Sequence, residues 1–218
     1  MAGSRFRAIL FDLDGTLVDT LADLTSAVNF VLGRSGRPVR SQEEIRGFIG
    51  DGARRLLKES LGRPSGEAVE EAYSMFAPYY LAHCADRSAL YPGVQDVLDR
   101  LRPAARLGVV TNKPEAPARL ILTRLGVLDR FDVVIAGDTL PVKKPDPGPV
   151  REALQRLGVA AWDALMVGDS PGDVRAARAA GASSCGVLYG YRPEKELRDE
   201  KPSCVINEFR EILAVTGV

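Results

Sequence analysis

Four apolar residues, Ala8-Ile9-Leu10-Phe11, run directly into Asp12-Leu13-Asp14-Gly15-Thr16. A short unbroken apolar run ended by turn residues is the pattern of a strand buried on both faces, and such strands belong to parallel sheets covered by helices. Gly15 allows the sharp turn that ends it. Two carboxylates therefore stand at the carboxyl end of a strand, where open α/β sheets bind their ligands. Alternate residues of an extended chain point the same way, so Asp12 and Asp14 are expected to share one face. Like charges that close are costly unless a hard cation or a shared proton neutralises them. Turn formation accounts readily for one such Asp and poorly for the pair.

The same rhythm recurs. Short apolar runs at Leu107–Val110, Val133–Ala136, Leu165–Val167, Ser184–Leu188 and Cys204–Ile206 read as strands. Helical patterns at Val94–Leu101, Ala116–Leu125, Pro149–Leu157 and Val174–Ala180 lie among them. Alternating strand and helix predicts an α/β fold, a Rossmann-like doubly wound parallel sheet with helices on both faces.

One connection breaks the pattern. No convincing strand lies between Thr20 and about Leu90, far more chain than a simple crossover needs. Leu21, Leu24, Val28, Val31 and Leu32 follow helical spacing, Ser41 and Glu44 form a capping box, and Gly62-Arg63-Pro64-Ser65 separates two further helices. We therefore expect a core of residues 1–19 and 91–218 and an inserted α-helical cap domain of residues 20–90. Its hinges would lie near Asp19-Thr20 and Tyr91-Pro92-Gly93, placing a lid beside the carboxylate loop.

Charge excludes some functions. Lys plus Arg equal Asp plus Glu at 29 each in 218 residues, which gives no reason to expect nucleic acid or an acidic membrane surface as partner. No apolar run approaches a membrane span, and Asp12 and Asp14 interrupt any signal-peptide pattern, so a cytoplasmic protein is expected. Cys84, Cys185 and Cys204 lack metal-ligand spacing and read as reduced thiols. His83 stands alone, in a helical stretch with polar flanks, so neither a His-centred triad nor a zinc site is readily built.

Three further motifs end strands or stiffen loops. Thr111 and Asn112 follow a strand and precede a helix, where they either cap it or meet phosphate oxygens. Lys144 sits in Lys143-Lys144-Pro145-Asp146-Pro147, a rigid loop that either aims a lysine at a phosphate or leaves a solvated pair. Gly168-Asp169-Ser170-Pro171-Gly172-Asp173 ends a strand in Asp169 and opens a helix with Asp173. Four carboxylates, a lysine and a threonine at one sheet edge fit magnesium-assisted phosphoryl transfer through an aspartyl phosphate. Oxygen donors without His or Cys select Mg²⁺ over zinc.

Together these residues resemble the haloacid dehalogenase superfamily, on its phosphatase side, over nearly the whole chain. Thr111-Asn112-Lys113-Pro114 and Gly137-Asp138-Thr139-Leu140-Pro141 with Lys143-Lys144-Pro145-Asp146-Pro147 are similar to the phosphoglycolate phosphatases with a helical cap. The resemblance implies Asp12 as nucleophile and Asp14 as general acid/base. It implies Mg²⁺ held by the Asp12 side chain, the Asp14 backbone carbonyl and Asp169, whereas spacing alone had both side chains of the pair binding metal. Thr111, Asn112 and Lys144 would bind the phosphoryl group, with Asp173 positioning Lys144 or a metal-bound water. Dehalogenases of the superfamily do not use an acid at position 14, so Asp14 argues for the phosphatase branch. Gly50-Asp51-Gly52-Ala53-Arg54-Arg55 resembles the specificity loop of the cap, with Arg54 or Arg55 as a reader of a substrate carboxylate. The expected substrate is a small phosphorylated metabolite, most simply 2-phosphoglycolate. A sugar phosphate or a nucleotide, or a phosphosugar mutase on the same scaffold, would use the same core motifs. A monomer or a homodimer is compatible with all of this.

Overall fold

Alternate residues of the first strand face opposite sides, and each side meets its own layer of helices. In the computed structural model, which describes residues 4–218, the chain runs β1 (Ala8–Phe11), β2 (Val18–Asp19), α1 (Leu21–Arg34), α2 (Gln42–Arg46), α3 (Ala53–Ser60), α4 (Gly66–His83), β3 (Ala89–Leu90) and α5 (Val94–Leu101). It continues through β4 (Arg106–Val110), α6 (Glu115–Arg124), β5 (Val133–Ile135), α7 (Gly148–Leu157), β6 (Ala164–Gly168), α8 (Pro171–Ala180), β7 (Ser183–Val187), α9 (Glu194–Asp199), β8 (Cys204–Ile206) and α10 (Ile212–Thr216).

Six strands form one parallel sheet in the order β5-β4-β1-β6-β7-β8. The register sets Phe11 of β1 level with Val109 of β4 and Val167 of β6, so these three strands end together. Ile9, Phe11, Leu107, Val109, Leu165 and Val167 pack on one face of the sheet. Ala8, Leu10, Val110, Ala164 and Met166 pack on the other. Burying one such Leu, Ile, Val or Phe stabilises the fold by about 1.5–3 kcal/mol. The strand order reverses at the β1–β6 pair, a topological switch point, and there a crevice opens at the carboxyl ends.

Between β2 and β3 the chain is helical, as the spacing predicts. The Ser41–Glu44 capping box starts α2, and the break at residues 62–65 separates α3 from α4. Stacked rings join α1 to α4, with Phe30 and Tyr79 centroids 4.1 Å apart. One expectation is corrected here. The stretch from Thr20 to Leu90 does contain a strand, the two-residue β3, which pairs antiparallel with β2 through Val18–Leu90 and Asp19–Ala89. The two chain crossings between sheet and helical insert therefore run side by side. Buried Asp23 fastens them, accepting hydrogen bonds from the Arg87 and Ser88 backbone N–H groups at 3.0 and 2.9 Å and from the Ser88 hydroxyl at 2.8 Å.

Candidate active site

The end of β1 delivers Asp12, almost fully buried, into the crevice. Its Oδ1 accepts the Leu13 N–H at 2.8 Å and faces the Lys144 ammonium at 3.0 Å. Lys144 reaches there from the loop before α7, and its Nζ also donates to Asp173 Oδ1 at 2.6 Å and to the Val110 carbonyl at 2.5 Å. Asn112 holds that loop in place. Its Oδ1 accepts the Lys144 N–H and its Nδ2 donates to the Lys144 carbonyl, both at 3.0 Å. The same Nδ2 meets the Gly50 carbonyl of the helical insert at 3.0 Å. Asn112 is thus a clamp between β4, the Lys144 loop and the insert. Thr111 is buried beside it, with Oγ1 accepting the Lys113 N–H at 3.2 Å. Asp173 combines both expected roles. Its Oδ2 closes the α8 capping box with Ser170, while Oδ1 orients Lys144.

Asp169 follows β6 and, among the described residues, receives a single hydrogen bond, from the Tyr191 backbone N–H at 2.6 Å. Glycines make room for it. A Cβ on Gly15, which has φ near 81°, would lie 2.3 Å from Asp169 Oδ2, and one on Gly190 would lie 2.2 Å from Asp169 Cβ. Carboxylate oxygens of Asp12, Asp169 and Asp173 lie within 4.8 Å of one another. This all-oxygen, anionic set suits a hard divalent cation such as Mg²⁺.

The electrostatics agree with that fit. Burial, resisted by Lys144 and reinforced by Asp173 and Asp14, pushes the Asp12 carboxyl up to about 6. Burial and the neighbouring Asp12 and Asp173 hold Asp169 well above the usual carboxylate range. For Lys144 burial works against the charge, yet Asp12 and Asp173 outweigh it and raise its pKa. Without a cation the site holds more negative charge than one lysine can balance.

Four carboxylates were expected to converge, and three do. The Asp14 carboxylate lies outside the group, so the side chain is not placed as a third metal ligand. It turns toward the helical insert instead, where the Lys113 ammonium donates at 2.8 and 2.9 Å and the Thr20 hydroxyl at 2.6 Å. Lys113 is a site residue that the sequence reading quoted but gave no role. Its signal was position: a lysine two residues past Thr111, at the same strand end, points back into the crevice. The loop of Tyr189, Gly190 and Tyr191 was also missed, since nothing in its local pattern marks it as a neighbour of Asp169.

Between sheet edge and insert lies a cavity of about 250 Å³. Asp12, Asp14, Thr111, Asn112 and Lys113 line its floor, and Leu24, Ile49, Leu56, Phe76 and Tyr80 are among its apolar walls. Arg54 is not brought into it. That side chain is exposed, pairs with Glu70 at 2.7 Å and lies over the Tyr73 ring at 3.9 Å. Arg55 pairs with Glu59 at 3.0 Å.

Comparison with known proteins places this geometry among relatives. The model of the haloacid dehalogenase-like hydrolases matches residues 9–187. A phosphoglycolate phosphatase of Nitrosococcus oceani is 41% identical over 210 residues, covering 94% of this chain and 93% of the relative. Phosphoglycolate phosphatase 1 of Pseudomonas aeruginosa is 40% identical over 214 residues, covering 95% and 78%. Among solved structures, a predicted phosphoglycolate phosphatase from Haemophilus somnus superposes with a TM-score of 0.91 at 32% identity, covering 97% of this chain and 98% of the other. CbbY from Rhodobacter sphaeroides, solved in complex with phosphate, gives 0.83 at 26% identity, covering 98% and 100%.

Proposed function

The chain belongs to the haloacid dehalogenase-like hydrolases, and on that premise we propose that it is a cytoplasmic, magnesium-dependent phosphatase of small phosphomonoesters, with 2-phosphoglycolate as its substrate. The observation that carries the reading is the juxtaposition of Asp12, Lys144 and the Asp12–Asp169–Asp173 oxygen cluster at the open end of β1. Relatives named phosphoglycolate phosphatase at about 40% identity supply the substrate.

Asp12, Asp169 and the Asp14 backbone carbonyl would hold Mg²⁺, which when bound screens the phosphate's negative charge. Thr111 and Lys144 bind the phosphoryl oxygens, and Asn112 fixes the loop that carries Lys144. An Asp12 Oδ attacks phosphorus and forms an O–P bond as the ester O–P bond breaks. Asp14, on the cavity side, gives a proton to the departing alcohol oxygen. Water then attacks the aspartyl phosphate, Asp14 takes back a proton, and the Asp12–phosphorus bond breaks to release phosphate. The helical insert serves as the cap that closes over these steps.

Hydrolysis of a phosphomonoester panel with and without Mg²⁺ tests the assignment. Turnover is expected only with Mg²⁺, with phosphoglycolate ahead of sugar phosphates and nucleotides. Folded Asp12→Asn is expected to show none, and Asp14→Asn to lose about 10²–10⁴-fold in turnover with little change in Mg²⁺ affinity. Near-normal turnover by Asp12→Asn would rule out the covalent route.

A further inference from the structure

We propose that Lys113 is the specificity residue that reads the leaving group, and that it selects phosphomonoesters carrying a carboxylate one or two carbons from the ester oxygen. This rests on the phosphatase reading and replaces the cap arginines as carboxylate receptors.

A carboxylate moved from water into a mostly apolar chamber needs a cation there. Among the side chains that line the cavity, Lys113 is the one cation. The other candidates are engaged elsewhere or stand outside. Arg54 and Arg55 pair with Glu70 and Glu59, and Lys144 is held between Asp12 and Asp173. Lys143 is exposed and does not line the cavity, although a Cβ on Gly52, which does, would lie 3.4 Å from its Nζ.

The Lys113 side chain is only 3% exposed, so its charge is kept out of water and depends on partners. An ammonium carries three donors. The oxygens that Lys113 Nζ meets, among the described residues, are the two of Asp14 at 2.8 and 2.9 Å. The Tyr80 ring centroid lies 4.8 Å from that Nζ. The site therefore keeps donor capacity for one more anionic oxygen, on the wall where the alcohol portion of the ester must lie.

Distance then sets the length of the substrate. Asp14 must come within about 3 Å of the ester oxygen to protonate it. Lys113 Nζ lies 2.8 Å from Asp14, so the ammonium stands within roughly 6 Å of that oxygen. A carboxylate on the adjacent carbon falls inside this radius, and one at the far end of a long chain does not.

The test compares 2-phosphoglycolate with ethyl phosphate, in which a methyl group replaces the carboxylate, by the ratio of their kcat/KM values. Wild type should favour phosphoglycolate. Lys113→Met and Lys113→Gln should lower the ratio roughly 10- to 100-fold, the range expected for a lost charged hydrogen bond, while Lys113→Arg keeps most of it. Arg54→Ala should leave it unchanged. An equal fall on both substrates in Lys113→Met and Lys113→Gln would reduce Lys113 to a support for Asp14 and overturn the proposal. A selective fall in Lys143→Ala or Arg54→Ala would overturn it by locating the reader elsewhere. A wild-type preference for ethyl phosphate would overturn it whether or not the variants fold. Turnover of neither ester by wild type with Mg²⁺ would instead strike at the phosphatase reading itself, and the proposal with it.

Discussion

Asp12 is the residue on which chemistry and stability conflict. As the proposed nucleophile it must be ionised, yet its burial among carboxylates raises its pKa from 3.8 to about 6 in the metal-free protein. The folded state therefore holds a proton that the unfolded chain has released across the window from about 4 to 6. A raised carboxylate pKa means that stability falls as pH rises through that window, and the full cost, on the order of 3 kcal/mol, is present above it. Asp12→Asn has no such proton to lose. In chelator, urea unfolding of the variant and wild type should diverge between pH 4 and 6, with the variant the more stable at pH 7. A less stable variant at pH 7 would mean that the Lys144 ion pair outweighs burial. At this scale the sequence was largely legible, because Asp12, Thr111, Lys144 and Asp169 each follow a strand end or occupy a proline-stiffened loop. Lys113 and Asn112 were harder to assign. Their roles depend on an ion pair with Asp14 and on bonds to Gly50 and Lys144, partners distant along the chain.

Helices longer than two turns were read well, whereas the short α9 and α10 and the elements held by tertiary contacts alone were not. The strand at Ala8–Phe11 and the helix at Val94–Leu101 match to the residue, since apolar period and flanking Gly or charge mark their ends. The β2–β3 pair escaped, because two residues per strand carry no periodicity and pairing joins Val18 to Leu90. What holds this joint is Asp23 in the first turn of α1. Replacing Asp23 with Ala leaves the buried Ser88 N–H without its acceptor, while the Ser88 hydroxyl keeps the Cys84 carbonyl at 2.9 Å, so a loss of about 1–3 kcal/mol is expected. Asp23→Asn keeps one acceptor oxygen and should cost less. Urea midpoints should rank wild type, Asn and Ala in that order. Limited proteolysis of the Ala variant should open first between residues 84 and 92. Cleavage there no faster than in wild type would show that the β2–β3 pair, not Asp23, keeps the crossings together.

Across the whole molecule, the carboxylate cluster and the helical insert meet in one loop. Asp169 accepts the Tyr191 N–H, the Gly190 carbonyl accepts the Arg46 guanidinium of α2 at 2.5 Å, and Arg192 donates to the Gly47 carbonyl at 3.1 Å. A ligand that settles Asp169 therefore acts on contacts spanning both parts of the chain. Two like charges about 4 Å apart repel by roughly 4 kcal/mol at an effective dielectric near 20. Lys144 relieves Asp12 and Asp173 directly, whereas Asp169, with no cation in contact among the described residues, relieves the repulsion by holding its proton well above the usual carboxylate range. On the proposed reading, Mg²⁺ binds the folded cluster and finds no equivalent in the unfolded chain. At about 100 times its dissociation constant it should stabilise the fold by roughly 2.7 kcal/mol, a rise of roughly 5–10 °C in Tm for a chain of this size. Asp169→Ala removes a ligand together with the least compensated charge. Its Tm should no longer rise with Mg²⁺, yet in chelator it should melt no lower than wild type. A Mg²⁺ shift of undiminished size in that variant would place the cation away from Asp169. A variant that melts well below wild type in chelator would show that the Tyr191 hydrogen bond contributes more than the repulsion it accompanies.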